Sequence, residues 1–167
     1  MSRFFPHPPY AEDQPLAKTI LYTHTTTRGL QLGSLLSSTF SLSLFSLRRF
    51  GLLTPKPTSI LRSTGIGALT GATLLAIATT ARMWAREDIE WADRAWRLRA
   101  NKGQVECDDW TYAGMVGGVL GGLGRGVRGV RGVRVVGAGG LGSVVGMGGW
   151  MGWRYIRGER DEEEEGL

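Results

Sequence analysis

The residues best suited to chemistry are three glycines near the carboxyl terminus. Gly137, Gly139 and Gly142 match G-x-G-x-x-G, in which a glycine-rich turn between a strand and a helix holds the pyrophosphate of a dinucleotide. Such a domain also needs a second parallel strand, with a ribose-binding acid about 20 residues further on. Here the acids that follow lie in a polar tail at 161–165, with no apolar strand before them. The motif therefore supports a nucleotide-binding enzyme only as a remote alternative.

The other chemical motifs that we sought are absent from the sequence. There is no P-loop, no H-E-x-x-H and no C-x-x-C, and the one cysteine, Cys107, excludes an internal disulfide. His7 and His24 are isolated, and we expect each to be solvated or to cap a helix rather than to bind a metal. We therefore expect no catalytic residue, no cofactor and no metal site, and hence a protein that is not itself an enzyme.

The elements that position these residues are long uncharged segments between clusters of charge. Mean hydropathy is −0.09, but this value averages over apolar and charged blocks. Three uncharged segments have 19 residues each, close to the roughly 20 that cross a bilayer, and none carries the ionisable residue of a pump. We predict an all-α membrane protein with about four transmembrane helices, the third of them short. The predicted spans are residues 29–47, 63–81, 111–127 and 135–153.

These spans divide the chain into three parts. Four prolines in the first 15 positions argue against a helix there, and we expect residues 1–28 to form a proline-rich amino-terminal segment. Residues 29–153 form the predicted helical membrane domain. Residues 154–167 end in a run of acids, and we expect a solvated, largely disordered acidic tail.

Glycines four residues apart recur within two of the predicted spans. Small residues at this spacing let two helix backbones approach closely, which helps drive helix association in lipid. Residues 67 and 71 form G-x-x-x-G, and the third span carries three glycines at the same interval. The predicted helix-packing residues are Gly67, Gly71, Gly114, Gly118 and Gly122.

Residues 82–100 have the pattern of an amphipathic helix between spans two and three. Trp84, Trp91 and Trp96 fall on one side, and most of the charges fall on the other. This pattern is typical of a helix at the membrane–water interface, and equally of a helix that packs on a partner protein. The sequence leaves both open.

Residues 48–62 and 125–134 are basic segments that contain no acid. With four spans, both segments lie on one side of the membrane, as the positive-inside rule requires. A Gly/Arg repeat occupies 124–134, but it lacks the aromatic residues that stack on RNA, so we expect no nucleic-acid partner. We predict contacts to anionic lipid headgroups instead. The candidate residues are Arg48, Arg49, Arg125, Arg128, Arg131 and Arg134.

Residues 4–37, FFPHPPYAEDQPLAKTILYTHTTTRGLQLGSLLS, and the segments after them resemble a family of fungal membrane proteins. These are NUXM-type accessory subunits of mitochondrial respiratory complex I, and the resemblance covers about residues 4–123. It implies an accessory subunit of the membrane arm in the mitochondrial inner membrane, without a redox centre of its own. The implied partners are other membrane-arm subunits and membrane lipids, including cardiolipin. The basic loops 48–62 and 125–134 would then face the matrix.

The glycine-rich spans are also similar to those of the inner-membrane protein-import translocase family, which shares a four-helix architecture. The short third span and the amphipathic insertion at 82–100 depart from that pattern. An import-type inner-membrane protein is therefore the alternative function.

Overall fold

The computed structural model describes residues 5–51, 59–124 and 132–165, with only the backbone path for 124 and 159–165. Within these ranges the chain forms five α-helices and a short 3₁₀ turn, Ala11–Asp13, which confirms the all-α class. The helices are α1 (Ala17–Arg49), α2 (Ile60–Arg82), α3 (Asp88–Ala100), α4 (Lys102–Gly124) and α5 (Val133–Glu165).

α1 begins twelve residues before the predicted boundary at residue 29. Pro15 is the last proline before the helix, and Leu16 adopts a left-handed conformation (φ 56°) that turns the chain into it. In the added turns, threonine hydroxyls bond back to carbonyls one turn earlier, as Thr26 Oγ1 does to Tyr22 O over 2.6 Å. The expectation that residues 17–28 lie outside the helical domain was therefore wrong.

The amphipathic helix is shorter than predicted. Arg82 is the last residue of α2, and α3 begins only at Asp88. Between the two helices the chain turns at Ala85, whose positive φ of 56° interrupts helical geometry. Asp88 and Glu90 then favour a new helix start, because acids in the first turn interact well with the helix dipole.

α5 is a single helix through two segments for which the sequence indicated other structures. Residues 133–136 are helical rather than a strand, so the strand–turn–helix context of a nucleotide site does not form around Gly137 and Gly142. The same helix continues to Glu165, through the tail that we expected to be disordered. Glutamate and arginine are good helix formers and favour this continuation, against the opposing effects of Gly158 and of a run of acids at the carboxyl end of a helix.

The four long helices alternate in direction. α1 and α2 are antiparallel, with Gly33 beside Gly67 and Ser41 hydrogen-bonded to Ser63 over 2.8 Å. α4 and α5 are also antiparallel, and α5 packs alongside α2 and α1 in the middle of the bundle. The ends of α1 and α4 and the starts of α2 and α5 therefore lie together at one end, which we call the basic end.

The opposite end, which we call the capped end, carries α3. Trp91 is buried, with its ring 5.8 Å from that of Tyr22 on α1. Trp96 donates from Nε1 to Pro8 O over 3.0 Å. α3 thus packs on the amino-terminal part of its own chain, which leaves less of its apolar side for a bilayer or a partner than the sequence suggested.

Apart from Ile20, Met83 and Trp91, which are buried, burial between the long helices is the reverse of that in a water-soluble core. The largest fully buried side chains are hydroxyl-bearing: Ser34, Thr64, Thr111 and Ser143. Large apolar residues face outward instead, and Phe40 and Leu120 are 64% and 62% exposed. α1 and α2 are each long and apolar enough to cross a membrane. α4 and α5 are glycine-rich, and glycine adds helix length with little apolar surface.

Candidate functional site

The α1–α2 contact is built on four glycines. A Cβ atom on Gly33 would overlap the carbonyl oxygen of Gly67, and one on Gly71 would overlap that of Gly29. Because the missing side chains let the backbones touch, dispersion contacts extend along the whole crossing. The structure thus places Gly67 and Gly71 in a helix crossing, opposite two glycines of α1 that the sequence analysis did not single out.

The α4–α5 contact uses the same device. A Cβ on Gly114 would overlap the carbonyl oxygen of Gly142, and one on Gly118 would overlap that of Ala138. Gly122, the third glycine predicted to pack on this helix, lines a groove of about 730 Å³ together with Gly117 and other residues of α4 and α5. Gly114 and Gly118 therefore lie in the crossing and also line the groove, and Gly122 lines the groove beside them.

The glycines of the nucleotide motif contact two neighbouring helices, α2 and α4. Gly137 packs on the backbone of α2 at Leu61, and Gly142 packs on α4. A Cβ on Gly139 would lie 3.3 Å from Met115 Cγ. These positions face neighbouring helices inside the bundle, so the arrangement offers no cradle for a pyrophosphate.

A search for the four-residue spacing along the whole chain, rather than in the second and third predicted spans alone, would have found the other glycines in these contacts. Gly29 and Gly33 are four apart, and so are Ala138, Gly142 and Gly146. The nucleotide motif drew attention to the intervals of two and three residues in the same stretch. The interval of four is the one that places residues on a single helix face.

An ion pair joins α1 to α4 near the capped end. Arg28 Nη2 donates to Asp108 Oδ1 over 2.5 Å, and the two side chains are 22% and 11% exposed. Arg28 Nη1 donates to Gln31 Oε1 over 2.6 Å, and Gln104 Nε2 donates to Asp108 Oδ1 over 3.0 Å. The charges are therefore paired and hydrogen-bonded, as burial of charge requires.

Gln31 extends this network to α5. Its amide donates to Thr111 Oγ1 over 3.1 Å and to the carbonyl oxygen of Ser143 over 3.2 Å. At the residue next to Thr111, the hydroxyls of Tyr112 and Thr27 are hydrogen-bonded over 2.9 Å. The polar network thus bonds three helices at one level of the bundle.

His24 lies beside this network, without a hydrogen bond to it, rather than in solvent. Its Nδ1 lies 3.7 Å from Asp108 Oδ2, and its side chain is 16% exposed, so the expectation of a solvated or capping histidine was wrong. Burial by itself would raise the pKa of Asp108. Interactions with His24, Arg28 and Gln104 outweigh that effect and hold the pKa of the carboxyl below its ordinary value.

The remaining candidates for chemistry lie apart from one another. Cys107 is buried, with its sulfur 3.6 Å from Arg28 Nη2, and His7 lies against the ring of Trp96. Among the described residues, no three histidine, cysteine or acidic side chains form a group that could hold a metal ion.

Some of the predicted lipid contacts can be placed at the basic end. Arg48 and Arg49 are exposed in the last turn of α1, and Arg134 is half-buried in the first turn of α5. The other candidates, Arg125, Arg128 and Arg131, lie outside the described residues.

The fold and its contacts define a class: a glycine-packed helical bundle with an interhelical ion pair and two helices able to cross a membrane. Within this class, the chain belongs to the family described as "Protein of unknown function (DUF1757)", whose model matches residues 11–148. The match covers α1 to α4 and about half of α5. No curated protein and no solved structure matches the chain.

Proposed function

We propose that this protein is a non-catalytic membrane subunit whose four long helices, α1, α2, α4 and α5, cross a bilayer. The observation that carries this proposal is the reversed burial, with hydroxyls and glycines inside and large apolar side chains outside. In water such a surface would be strongly unfavourable, whereas in lipid it is the expected one.

The dimensions of the bundle support the same proposal. α2 has 23 residues, or about 35 Å at ~1.5 Å per residue, enough for a hydrocarbon core of about 30 Å, whereas the uncharged part of α4 that follows Asp109 is shorter. Exposed apolar residues occur on all four helices, including Phe40, Ile77, Leu120 and Val145. A bilayer would cover these faces together.

The membrane proposal can be tested by extraction of membranes with alkaline carbonate. We expect the full chain to stay in the pellet and to dissolve only with detergent. A chain that is released by carbonate and remains a compact monomer without detergent would contradict the proposal, and the exposed apolar faces would then need protein partners.

Within the membrane class, we propose an accessory subunit of the membrane arm of mitochondrial respiratory complex I. Support comes from the resemblance of residues 4–37 to the NUXM-type accessory subunits and from the bonds that the buried polar side chains make. Arg28, Gln31, Asp108 and Thr111 bond one helix to another, which suits a stabilising or assembly role. The membrane would be the mitochondrial inner membrane, with the basic loops 48–62 and 125–134 on the matrix side and in contact with anionic lipids.

Native electrophoresis of gently solubilised mitochondria tests this assignment. We expect the protein to migrate with NADH dehydrogenase activity, and its depletion to reduce the amount of assembled membrane arm. Migration only as a small free protein would contradict the complex I assignment while leaving the membrane proposal intact.

An import-type inner-membrane protein is the second candidate, because the antiparallel hairpins α1–α2 and α4–α5 are both packed through glycines. The order of defects after depletion distinguishes the two. An import component predicts failed import of other inner-membrane proteins before respiration declines. An accessory subunit predicts the respiratory defect first.

A further inference from the structure

A cavity of about 450 Å³ lies at the capped end, between the start of α4 and the later turns of α5. Arg28 reaches it from α1, Asn101 and Gln104 line it at the start of α4, and Trp150 and Arg154 line it from α5. Arg154 lies so close to α4 that a Cβ on Gly103 would come within 2.6 Å of its Nη1. Three parts of the bundle therefore bring cations, amides and an indole to one place.

The cavity lies at the level where charged residues border the uncharged segments of three helices. Arg28 precedes the uncharged residues 29–47, Asp108 and Asp109 precede the uncharged part of α4, and Arg154 follows the uncharged residues 135–153. In a bundle that crosses a bilayer, this level is that of the lipid headgroups. The inference that follows rests on the membrane proposal for this reason.

Two groups that line the cavity have no hydrogen-bond acceptor or ion-pair partner among the described residues. Trp150 Nε1 is a buried donor, and Arg154 is exposed. Arg154 stacks over the Trp150 ring at 5.5 Å, and among the described residues it lies in no ion pair. A buried N–H donor without an acceptor costs free energy, so an oxygen-rich anion in the cavity would satisfy both groups together.

The charge and the walls of the cavity fit an anion that carries an apolar part. Among the described residues, no carboxylate lines the cavity, and Asp108 balances the charge of Arg28, which leaves Arg154 as the excess positive charge. Met147 and Met151 complete the lining, and Met151 is 58% exposed toward the side of the bundle. Methionine side chains adapt well to irregular apolar partners such as acyl chains.

We infer that this cavity binds the phosphate group of an anionic phospholipid. Arg154 and the indole N–H of Trp150 hold the phosphate oxygens, the amides of Asn101 and Gln104 lie beside it, and the two methionines contact the upper acyl chains. This site is distinct from the lipid contacts predicted at the basic end of the bundle.

The test uses the full chain in detergent, titrated with phosphatidylglycerol or phosphatidylcholine and observed by native mass spectrometry. We expect selective retention of phosphatidylglycerol, weakened about tenfold or more by Arg154→Gln, because a charge-assisted hydrogen bond is lost. Trp150→Phe keeps the ring beneath Arg154 but removes the N–H, and should also weaken retention. The matched control is Arg157→Gln, an exposed arginine one turn further along α5 that does not line the cavity.

Two results would overturn the inference. Equal retention by the wild type, Arg154→Gln and Trp150→Phe would show that the cavity does not hold the lipid. Binding of inorganic phosphate by lipid-free protein, lost in Arg154→Gln and without selective lipid retention, would assign the site to a free phosphate instead. Carbonate extraction of the same variants tests the membrane proposal separately, so a failure of the lipid site is distinguishable from a failure of that proposal.

Discussion

Arg28 on α1 and Asp108 on α4 form an ion pair of 2.5 Å across the bundle, 80 residues apart in the sequence. The two residues stand just outside the uncharged segments of their helices, and the pair is shielded on both sides by other parts of the bundle. Glycine contacts hold α1 to α2, α4 to α5 and α5 to α2, and this pair adds a direct bond from α1 of the first hairpin to α4 of the second. The relative position of the two hairpins should therefore depend in part on this pair.

Asp108→Asn should destabilise the bundle more than the loss of any exposed ion pair. Arg28 would stay largely buried without its counter-ion, and breaking such a pair costs about 3–5 kcal/mol. Thermal unfolding of the purified protein in detergent measures the effect. Asp93→Asn is the control, because the exposed i,i+4 pair Asp93–Arg97 contributes only about 0.3–0.5 kcal/mol. Equal shifts in the two variants would contradict a structural role for the buried pair.

We expect the stability of the bundle to depend on pH through the carboxylate of Asp108. The pKa of Asp108 is lowered in the folded state, so its contribution is fully present above the unfolded-state pKa of about 3.9 and is lost as pH falls through the folded-state pKa. We expect the melting temperature in detergent to fall on the acid side of about pH 4. The melting temperature of Asp108→Asn should fall less than that of the wild type as the pH decreases. If the melting temperatures of the two proteins fell equally at low pH, the acid sensitivity would belong to other carboxylates.

Alanine substitutions at two glycines should have opposite effects. At Gly33 the added Cβ would overlap the carbonyl oxygen of Gly67, so the helices must separate, at a cost of about 1–3 kcal/mol. At Gly117 a Cβ meets nothing within 4 Å, and alanine stabilises a helix by up to about 1 kcal/mol relative to glycine. Thermal unfolding of Gly33→Ala and Gly117→Ala compares them directly. A destabilised Gly117→Ala would show that the groove on α4 is occupied.

The accessibility of introduced cysteines tests the proposed orientation. In a Cys107→Ser background, Arg49→Cys and Arg128→Cys should react from one side of the membrane, and Lys102→Cys from the other. The physical reason is that four crossings return the chain to the same side after every second helix. Labelling of sealed mitoplasts with a membrane-impermeant maleimide, before and after permeabilisation, gives the readout. Reaction of Arg49→Cys and Lys102→Cys from the same side would exclude four crossings.

Helix positions were largely predictable, because an uncharged segment of about 20 residues has few alternatives to a helix. Each predicted span lies mostly or wholly within one of the long helices. The ends of the helices were less predictable. α1 starts at Ala17 because Pro15 and the left-handed Leu16 come directly before it, and α3 starts at Asp88 because the chain turns at Ala85. Both features depend on local geometry that residue composition does not encode.

The glycine motif shows how a sequence pattern can carry the wrong meaning when it is separated from its neighbours. Gly137 and Gly142 were spaced for a nucleotide, but their partners are the backbones of α2 and α4. The four-residue spacing of Ala138, Gly142 and Gly146 carried the correct information, because it places all three on one face of a helix. Which helix that face would meet could not be read from the spacing.

The sequence by itself determined that this chain is helical, rich in small residues, and divided into uncharged segments between charged ends. Those properties follow from the residue composition and from the spacing of small, apolar and charged residues. Both act locally, over about one helical turn. The tertiary structure alone decided that Arg28 would pair with Asp108, that His24 would be enclosed, and that Arg154 and Trp150 would share a cavity. These contacts join residues that are far apart in the chain, and their positions are set by how closely the glycine backbones let the helices pack.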